Sequence, residues 1–291
     1  MKLAVASCSK FKDANSQPAW GQIMAERPDA LLLLGDQIYL EHNHHSDPNE
    51  LTAELKHLYT EQFSEPAFAA LLSDLRARGC PLLAIYDDHD FLGNNRYGGD
   101  HPPALRDAAR KEFIRVYQPA LTGADVYGVQ RVGPVDIVVL DERFYRQSPA
   151  ESRDDRDAIL GAAQWAWFEK VVRDSKATYL VVASSTTLHT FGDESWEQYP
   201  AAFRRIVTLL RGRAGRLVVS GDVHRNATYD DSGVIEIVTS AVARNGLVFG
   251  SPRRNFGILG FDDNALHVEL RSLKVGQRFD FQVPLSHWVL P

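Results

Sequence analysis

Short apolar runs that end in reactive or chelating side chains constrain this chain more than any other feature. Residues 3–6 lead into Ser7-Cys8-Ser9, and residues 30–34 into Gly35-Asp36-Gln37-Ile38-Tyr39. Residues 81–86 lead into Asp87-Asp88-His89-Asp90, and 135–140 into Asp141-Glu142-Arg143. The runs at 179–183 and 217–219 finish in Ser184-Ser185-Thr186 and Ser220-Gly221-Asp222-Val223-His224. Each run is rich in Val, Ile and Leu and apolar on both alternations, as expected of strands in a sheet covered on both faces. Amphipathic stretches at 50–78, 104–117, 161–174 and 200–211 lie between them, with Pro66 dividing the first into two helices. Residues 234–239, 257–261 and 265–270 read as further strands, the last two joined by Asp262-Asp263-Asn264. This alternation predicts a layered α/β domain with a largely parallel sheet, occupying residues 1–291 as a single unit.

In open α/β sheets, ligands bind at the carboxyl ends of the strands. One Asp or Ser per connection is explained by helix capping. Capping alone does not explain clusters of carboxylates, two histidines and a cysteine on a single rim. Asp87, Asp88 and Asp90 around one imidazole repel one another unless a proton or cation neutralises them. Asp222 and His224, two residues apart, suit neighbouring metals from a tight turn. A metal centre is the expectation.

The remaining composition narrows the class. A net charge of −6 argues against general nucleic-acid binding, which needs a basic face. No stretch reaches about 18 consecutive apolar residues, so no membrane-spanning helix is expected. The apolar segment after Met1 is too short for a secretory leader, and two cysteines, Cys8 and Cys80, build no disulfide framework. The expected compartment is therefore reducing and cytoplasmic, the expected partner a small molecule, and the oligomeric state is left open.

Gly35-Asp36, Asp87-Asp88-His89-Asp90 and Gly221-Asp222-Val223-His224 resemble, in order and spacing, the motifs of calcineurin-like metallophosphoesterases. Ser7-Cys8-Ser9, Gly35-Asp36-Gln37-Ile38-Tyr39, Asn94-Asn95, Leu140-Asp141-x-Arg143 and Leu160-Gly161-x-x-Gln164-x-x-Trp167 are closer to the alkaline phosphatase D (PhoD-like) family. The resemblance covers residues 3 to about 240. It implies a four-layer α/β/β/α sandwich with a binuclear metal site that hydrolyses a small phosphoester substrate, diester slightly ahead of monoester. By motif position, Asp36 would bridge two metals, with Cys8 and Tyr39 on one and Asp88 with Asp222 on the other. His224 would complete a ligand set. The implied ions are Fe3+ and Ca2+, with Mn2+, Zn2+ and Mg2+ as alternatives. His89 would lie outside the ligand set as proton donor, with Asp90 fixing its tautomer. Arg143 and Asn95 would hold phosphate oxygens.

The chain departs from the usual pattern at several places, Asp88 standing where the wider superfamily has an Asn. Cys8 replaces the usual opening Asp-x-His, Ser184-Ser185-Thr186 replaces a histidine on the fifth strand with His189 nearby, and Glu142 stands where a small polar residue is commoner. Two rival readings remain: a cysteine hydrolase using Cys8 with His89 or His224 as base, and a non-catalytic metal- or nucleotide-binding module. No strand is followed by the Gly-x-Gly-x-x-Gly of dinucleotide enzymes. The loop Glu41-His42-Asn43-His44-His45-Ser46-Asp47 is a further cluster of ligand types that reads first as polar surface, with a substrate loop or an extra metal site as the alternative.

Overall fold

The computed structural model describes residues 1–11, 17–41, 45–117, 125–189, 194–230, 232–243, 254–273 and 278–291. The chain runs β1 (Lys2–Ala6), α1 (Pro18–Ala25), β2 (Ala30–Leu34), α2 (Pro48–Phe63), α3 (Pro66–Arg78), β3 (Leu82–Ile85), α4 (Asp88–Phe91), α5 (Pro103–Tyr117) and β4 (Gly128–Val132). It continues through β5 (Val135–Val139), α6 (Gly161–Asp174), β6 (Tyr179–Ser184), α7 (Pro200–Leu210), β7 (Arg216–Ser220), β8 (Ala227–Tyr229) and β9 (Ile235–Val238). It ends with β10 (Asn255–Phe261), β11 (Ala265–Ser272) and β12 (Arg278–Pro284).

Two six-stranded sheets form, in the orders β12-β11-β10-β1-β2-β3 and β4-β5-β6-β7-β9-β8. Their all-apolar strands explain the stacking. In β2, Leu31 and Leu33 face the helices while Ala30, Leu32 and Leu34 face the other sheet, and all five are fully buried. In β5, Val135, Ile137 and Val139 enter the same inter-sheet core, and Val138 points the other way. Three hydrophobic layers therefore separate four structural ones. Trp20, Leu55, Phe68 and Phe113 from α1, α2, α3 and α5 cover the first sheet. Trp165, Phe168 and Ile206 from α6 and α7 cover the second. This is the α/β/β/α sandwich.

Neither sheet is wholly parallel. β1, β2 and β3 run parallel, but β10, β11 and β12 extend that sheet antiparallel from β1. In the second sheet β5, β6, β7 and β9 are parallel, with β4 and β8 antiparallel at the edges. The strands missing from the sequence reading, β4, β8 and β12, are half-buried or exposed at most positions, so no continuous apolar run marks them. The helix start at Pro66 holds: Glu65 accepts the Phe68 N–H at 2.6 Å, a side-chain cap in front of a first-turn proline.

Parallel pairing sends the carboxyl ends of β1, β2 and β3, and of β5, β6 and β7, to one rim. The two sheets meet there closely. A Cβ on Gly221 would stand 3.0 Å from the Leu34 carbonyl and 3.0 Å from Ser7 Oγ. Gly35, at φ +92°, is tighter still, since its Cβ would come within 2.4 Å of Asp87 Cβ. Gly35→Ala adds left-handed backbone strain to that overlap, and the expected loss is about 2–5 kcal/mol in urea unfolding. A variant within about 0.5 kcal/mol of wild type would show that the β2 and β3 loops can part freely.

Candidate metal centre

The rim gathers the strand-end side chains into one buried cluster. Among the described residues, three groups have ligand atoms within 4.8 Å of one another: Cys8, Asp36 and His224; Asp36, Asp88 and His89; and Asp36, Asp87 and Asp222. Asp36 is common to all three. Cys8 Sγ lies 3.5 Å from Asp36 Oδ2, and the Tyr39 hydroxyl donates to the same oxygen at 3.0 Å. That hydroxyl is also 3.3 Å from His224 Nε2. One side of Asp36 thus carries Cys8, Tyr39 and His224, and the other carries the Asp87–Asp88–His89 turn with Asp222. Cys8, Asp36, Asp222 and His224 all take positive φ, between 54° and 65°, so the chain folds sharply back to aim these side chains inward.

The electrostatics show what such packing costs without a counter-charge. Burial pushes the Asp36 carboxyl far above its usual range, and repulsion from Asp88, Asp87, Asp90 and Asp222 adds to it. Asp222 rises for the same reasons, burial first and then Asp87 and Glu194. Burial lifts Asp87 to about 7 despite the pull of Arg143, and lifts Asp90 to about 8. Asp88 goes the other way: burial is outweighed by Arg143, His89 and the N–H groups of Asn95 and His89. Asp36 Oδ1 and Asp87 Oδ2 are buried with no hydrogen-bond partner. Orphaned carboxylate oxygens beside a thiol, a phenol and an imidazole fit cations, which would supply the missing partner to each.

A pH signature follows for protein stripped of metal. Asp87 and Asp90 titrate near 3.9 in an unfolded chain but at about 7 and about 8 when folded. Between those values the native state keeps protons the unfolded chain has lost. The stability they contribute is complete below the unfolded pKa and is lost as pH rises through the folded ones. Melting of the stripped protein should drop by about 3 °C or more between about pH 6 and about pH 8.5, and divalent ions should restore it. A melting temperature that stays flat or climbs would contradict this.

The expected site residues all reach the rim, though two are held differently from expectation. Asp90 does not orient His89. Its carboxylate accepts the N–H groups of Ile38 and Asp87, both at 3.1 Å, and so staples the β2 loop to the β3 loop. His89 Nδ1 instead faces the Leu40 carbonyl at 3.4 Å, and its ring lies 4.3 Å from that of Tyr39. Arg143 is fully buried, its Nε 2.7 Å from Asp87 Oδ1 and its Nη1 2.7 Å from Glu194 Oε1. Asn95 gives its N–H to Asp88 at 2.6 Å and leaves its side chain exposed at the rim. His189 is neither a solvated loop residue nor in the cluster; it is buried with Nδ1 2.8 Å from Glu236. His45 pairs with Glu54 at 2.9 Å. His42 and His44 lie outside the described residues.

Asp141 and Gln164 turn out to be scaffolding. The Gln164 amide pairs with both backbone groups of Asp141 at 2.8 Å, and the Asp141 carboxylate accepts Tyr86 and the N–H groups of Arg143 and Phe144. Together they aim the loop carrying Arg143. Sequence reasoning gave no role to Asp87, Glu194 or Arg146. Asp87 sat inside a recognised motif, whereas Glu194 and Arg146 carried no local signal.

A match to PhoD-like phosphatase covers residues 3–255. The chain belongs to the PhoD-like phosphatase family. A solved structure of PhoD is similar at 19% identity and a TM-score of 0.67, over 98% of this chain and 68% of that one. GAP50, the anchor in the inner membrane complex of Plasmodium, is similar at 13% identity and a TM-score of 0.55, over 97% of this chain and 88% of that one. At such identities the likeness concerns the fold alone, which does not assign chemistry. No curated protein matches the chain. Membership of the family makes this a metal-dependent phosphoesterase of the hydrolase class. Among the described residues no helix is long and apolar enough to cross a membrane.

Proposed function

We propose that this protein hydrolyses small phosphoesters at a binuclear metal site, with diesters slightly preferred over monoesters. The observation that carries the reading is the position of Asp36, the carboxylate shared by all three candidate ligand groups. Cys8, Tyr39 and His224 would hold one cation and Asp88 with Asp222 the other, Asp36 offering an oxygen to each. Asp87 is a further candidate ligand. Thiolate and phenolate donors suit Fe3+, and carboxylates suit Ca2+.

Cations held by these residues would supply a water of lowered pKa and would neutralise the phosphoryl charge. The chain's own residues do the rest. His89, with Nδ1 toward the Leu40 carbonyl, can present Nε2 to the departing oxygen and protonate it. Asp88, kept ionised by Arg143 and His89 and by its two backbone N–H bonds, holds its charge through the cycle. Arg143 offers a planar fork for phosphate oxygens. The small 35–39 and 220–224 turns pin these groups to strand ends, so little reorganisation is needed as charge develops.

Nothing in the site favours Cys8 as a nucleophile. Burial and the Asp36 carboxylate push its thiol up, opposite to the shift that makes a thiolate reactive. Metal analysis of the purified protein, paired with turnover of bis-p-nitrophenyl phosphate before and after chelation, tests the proposal. Close to two or more equivalents, with activity lost on chelation and restored by divalent ions, is the expected result. Chelator-resistant turnover, or an inert protein after metal reconstitution, would refute it.

A further inference from the structure

Two arginines leave β5 on one loop and end on the same carboxylate. Arg143 and Arg146 have side chains 0% and 1% exposed, while the side chain of Glu194 between them is 12% exposed. Arg143 Nη1 and Nη2 meet Glu194 Oε1 and Oε2 at 2.7 and 3.1 Å, a bidentate fork. Arg146 Nη2 donates to the Glu194 backbone carbonyl at 2.5 Å and to Thr186 Oγ1 at 3.3 Å. Arg146 Nη1 stands 3.9 Å from Glu194 Oε1, and both Nη1 and Nε are buried without a hydrogen-bond partner.

The opposite edge of the Arg143 guanidinium reaches the metal cluster, with Nε and Nη2 at 2.7 and 2.6 Å from Asp87 Oδ1. Nη2 therefore touches both acids. Asp87 is locked among buried groups, whereas Glu194 is the member of this set with access to solvent. Removing the Glu194 carboxylate would leave Arg143 half-paired beside the two Arg146 donors that already lack a partner, a buried positive pocket one guanidinium from Asp87. Planar forks of this kind match the oxygens of phosphate as well as those of a carboxylate.

We propose that Arg143 and Arg146 form an oxyanion seat that the Glu194 carboxylate fills at rest, and that the phosphoryl oxygens of substrate and product displace it. Glu194 is then an internal competitor that sets phosphate affinity. This inference rests on the phosphoesterase reading for its substrate, but its geometry does not depend on turnover. Glu194 acts through the arginines and is a specificity-determining residue.

Calorimetric titration of inorganic phosphate into the metal-loaded protein tests the seat. Glu194→Gln should bind phosphate about tenfold more tightly than wild type, because the competing charge-assisted fork is gone. Glu194→Asp, which draws the carboxylate back by one methylene, should show a smaller gain in the same direction and guards against misfolding of the first variant. Adding Arg146→Lys to Glu194→Gln keeps the charge of that variant but removes one of the two guanidinium forks of the seat, and most of the gain should be lost. Unchanged or weaker phosphate binding by both Glu194 variants would overturn the proposal. So would a gain that survives Arg146→Lys, since that would be a diffuse field effect. Turnover of bis-p-nitrophenyl phosphate on the same wild-type sample separates the two readings. An active wild type without the gain removes only the seat; an inert one with the gain removes only the catalysis.

Discussion

Asp36→Asn should lower turnover by roughly four orders of magnitude, the rate equivalent of about 5 kcal/mol of transition-state stabilisation. The amide preserves the shape of the side chain, so the effect isolates charge. Asp36 stands at the meeting point of the Cys8–His224 group and the two groups built on the Asp87–Asp88–His89 turn and Asp222. A neutral amide cannot offer anionic oxygens to two cations, and metal content should fall together with activity. Stability should move the opposite way in the metal-stripped protein. Asp36 is buried among Asp87, Asp88, Asp90 and Asp222, whose repulsion raises its carboxyl, and removing one of these mutually repelling acids relieves them all. The stripped variant is therefore expected to melt above stripped wild type. Full metal occupancy with full turnover in the variant would remove Asp36 from the bridging position.

His89→Ala is expected to keep its metals and lose about 10²–10⁴-fold in turnover. The loss should depend on the leaving group. A p-nitrophenolate leaves without a proton, so bis-p-nitrophenyl phosphate should suffer least and an alkyl phosphate most. The geometry makes the control informative, because a His89 ring nitrogen also lies within 4.8 Å of ligand atoms on Asp36 and Asp88. A histidine ligand often gives its second nitrogen to a backbone carbonyl, as Nδ1 faces Leu40 here. Loss of one metal equivalent, with all substrates affected alike, would therefore make His89 a ligand and refute its role as proton donor.

These two experiments bear on the chemistry; the Arg143–Glu194 pair bears on how the site is entered. In the resting protein the guanidinium expected to hold phosphate is already held by a carboxylate at both edges. The hydration that an incoming phosphoryl group gives up is offset by the hydration that Glu194 regains as it leaves, and the guanidinium stays desolvated throughout. The substrate thus meets an anion seat already dry and oriented, at the cost of competing with Glu194.

How much of this was legible beforehand follows from the range of the interactions. Strands such as β2 and β5 could be read directly, because burial on both faces demands an apolar side chain at every position, and that is a local property. The gathering of Cys8, Asp36, Asp88 and Asp222 followed from it, since parallel strands deliver their carboxyl ends to one rim. Edge strands β4, β8 and β12 were not legible: with one face or edge open to solvent they tolerate Gln130, Arg131 and Asp280 as readily as apolar residues.

Side-chain partnership was harder still. Motif position implied that Asp90 orients His89; the short α4 turn instead points Asp90 back at the N–H groups of Ile38 and Asp87. Glu194 meets Arg143 across 51 residues of chain, and nothing near either residue announces it. Strand periodicity and motif order are written locally, so the sequence alone marked the strand ends that carry candidate ligand side chains and the coverage of the strands on both faces. The carboxylates that Arg143 binds, and the meeting of Arg143 and Arg146 at Glu194, were set by the tertiary packing, which also brings Asp36 to the corner that its motif position implied. Those outcomes depend on how two sheets pack face to face, where a buried charge must find its counter-charge among whatever the fold brings within reach.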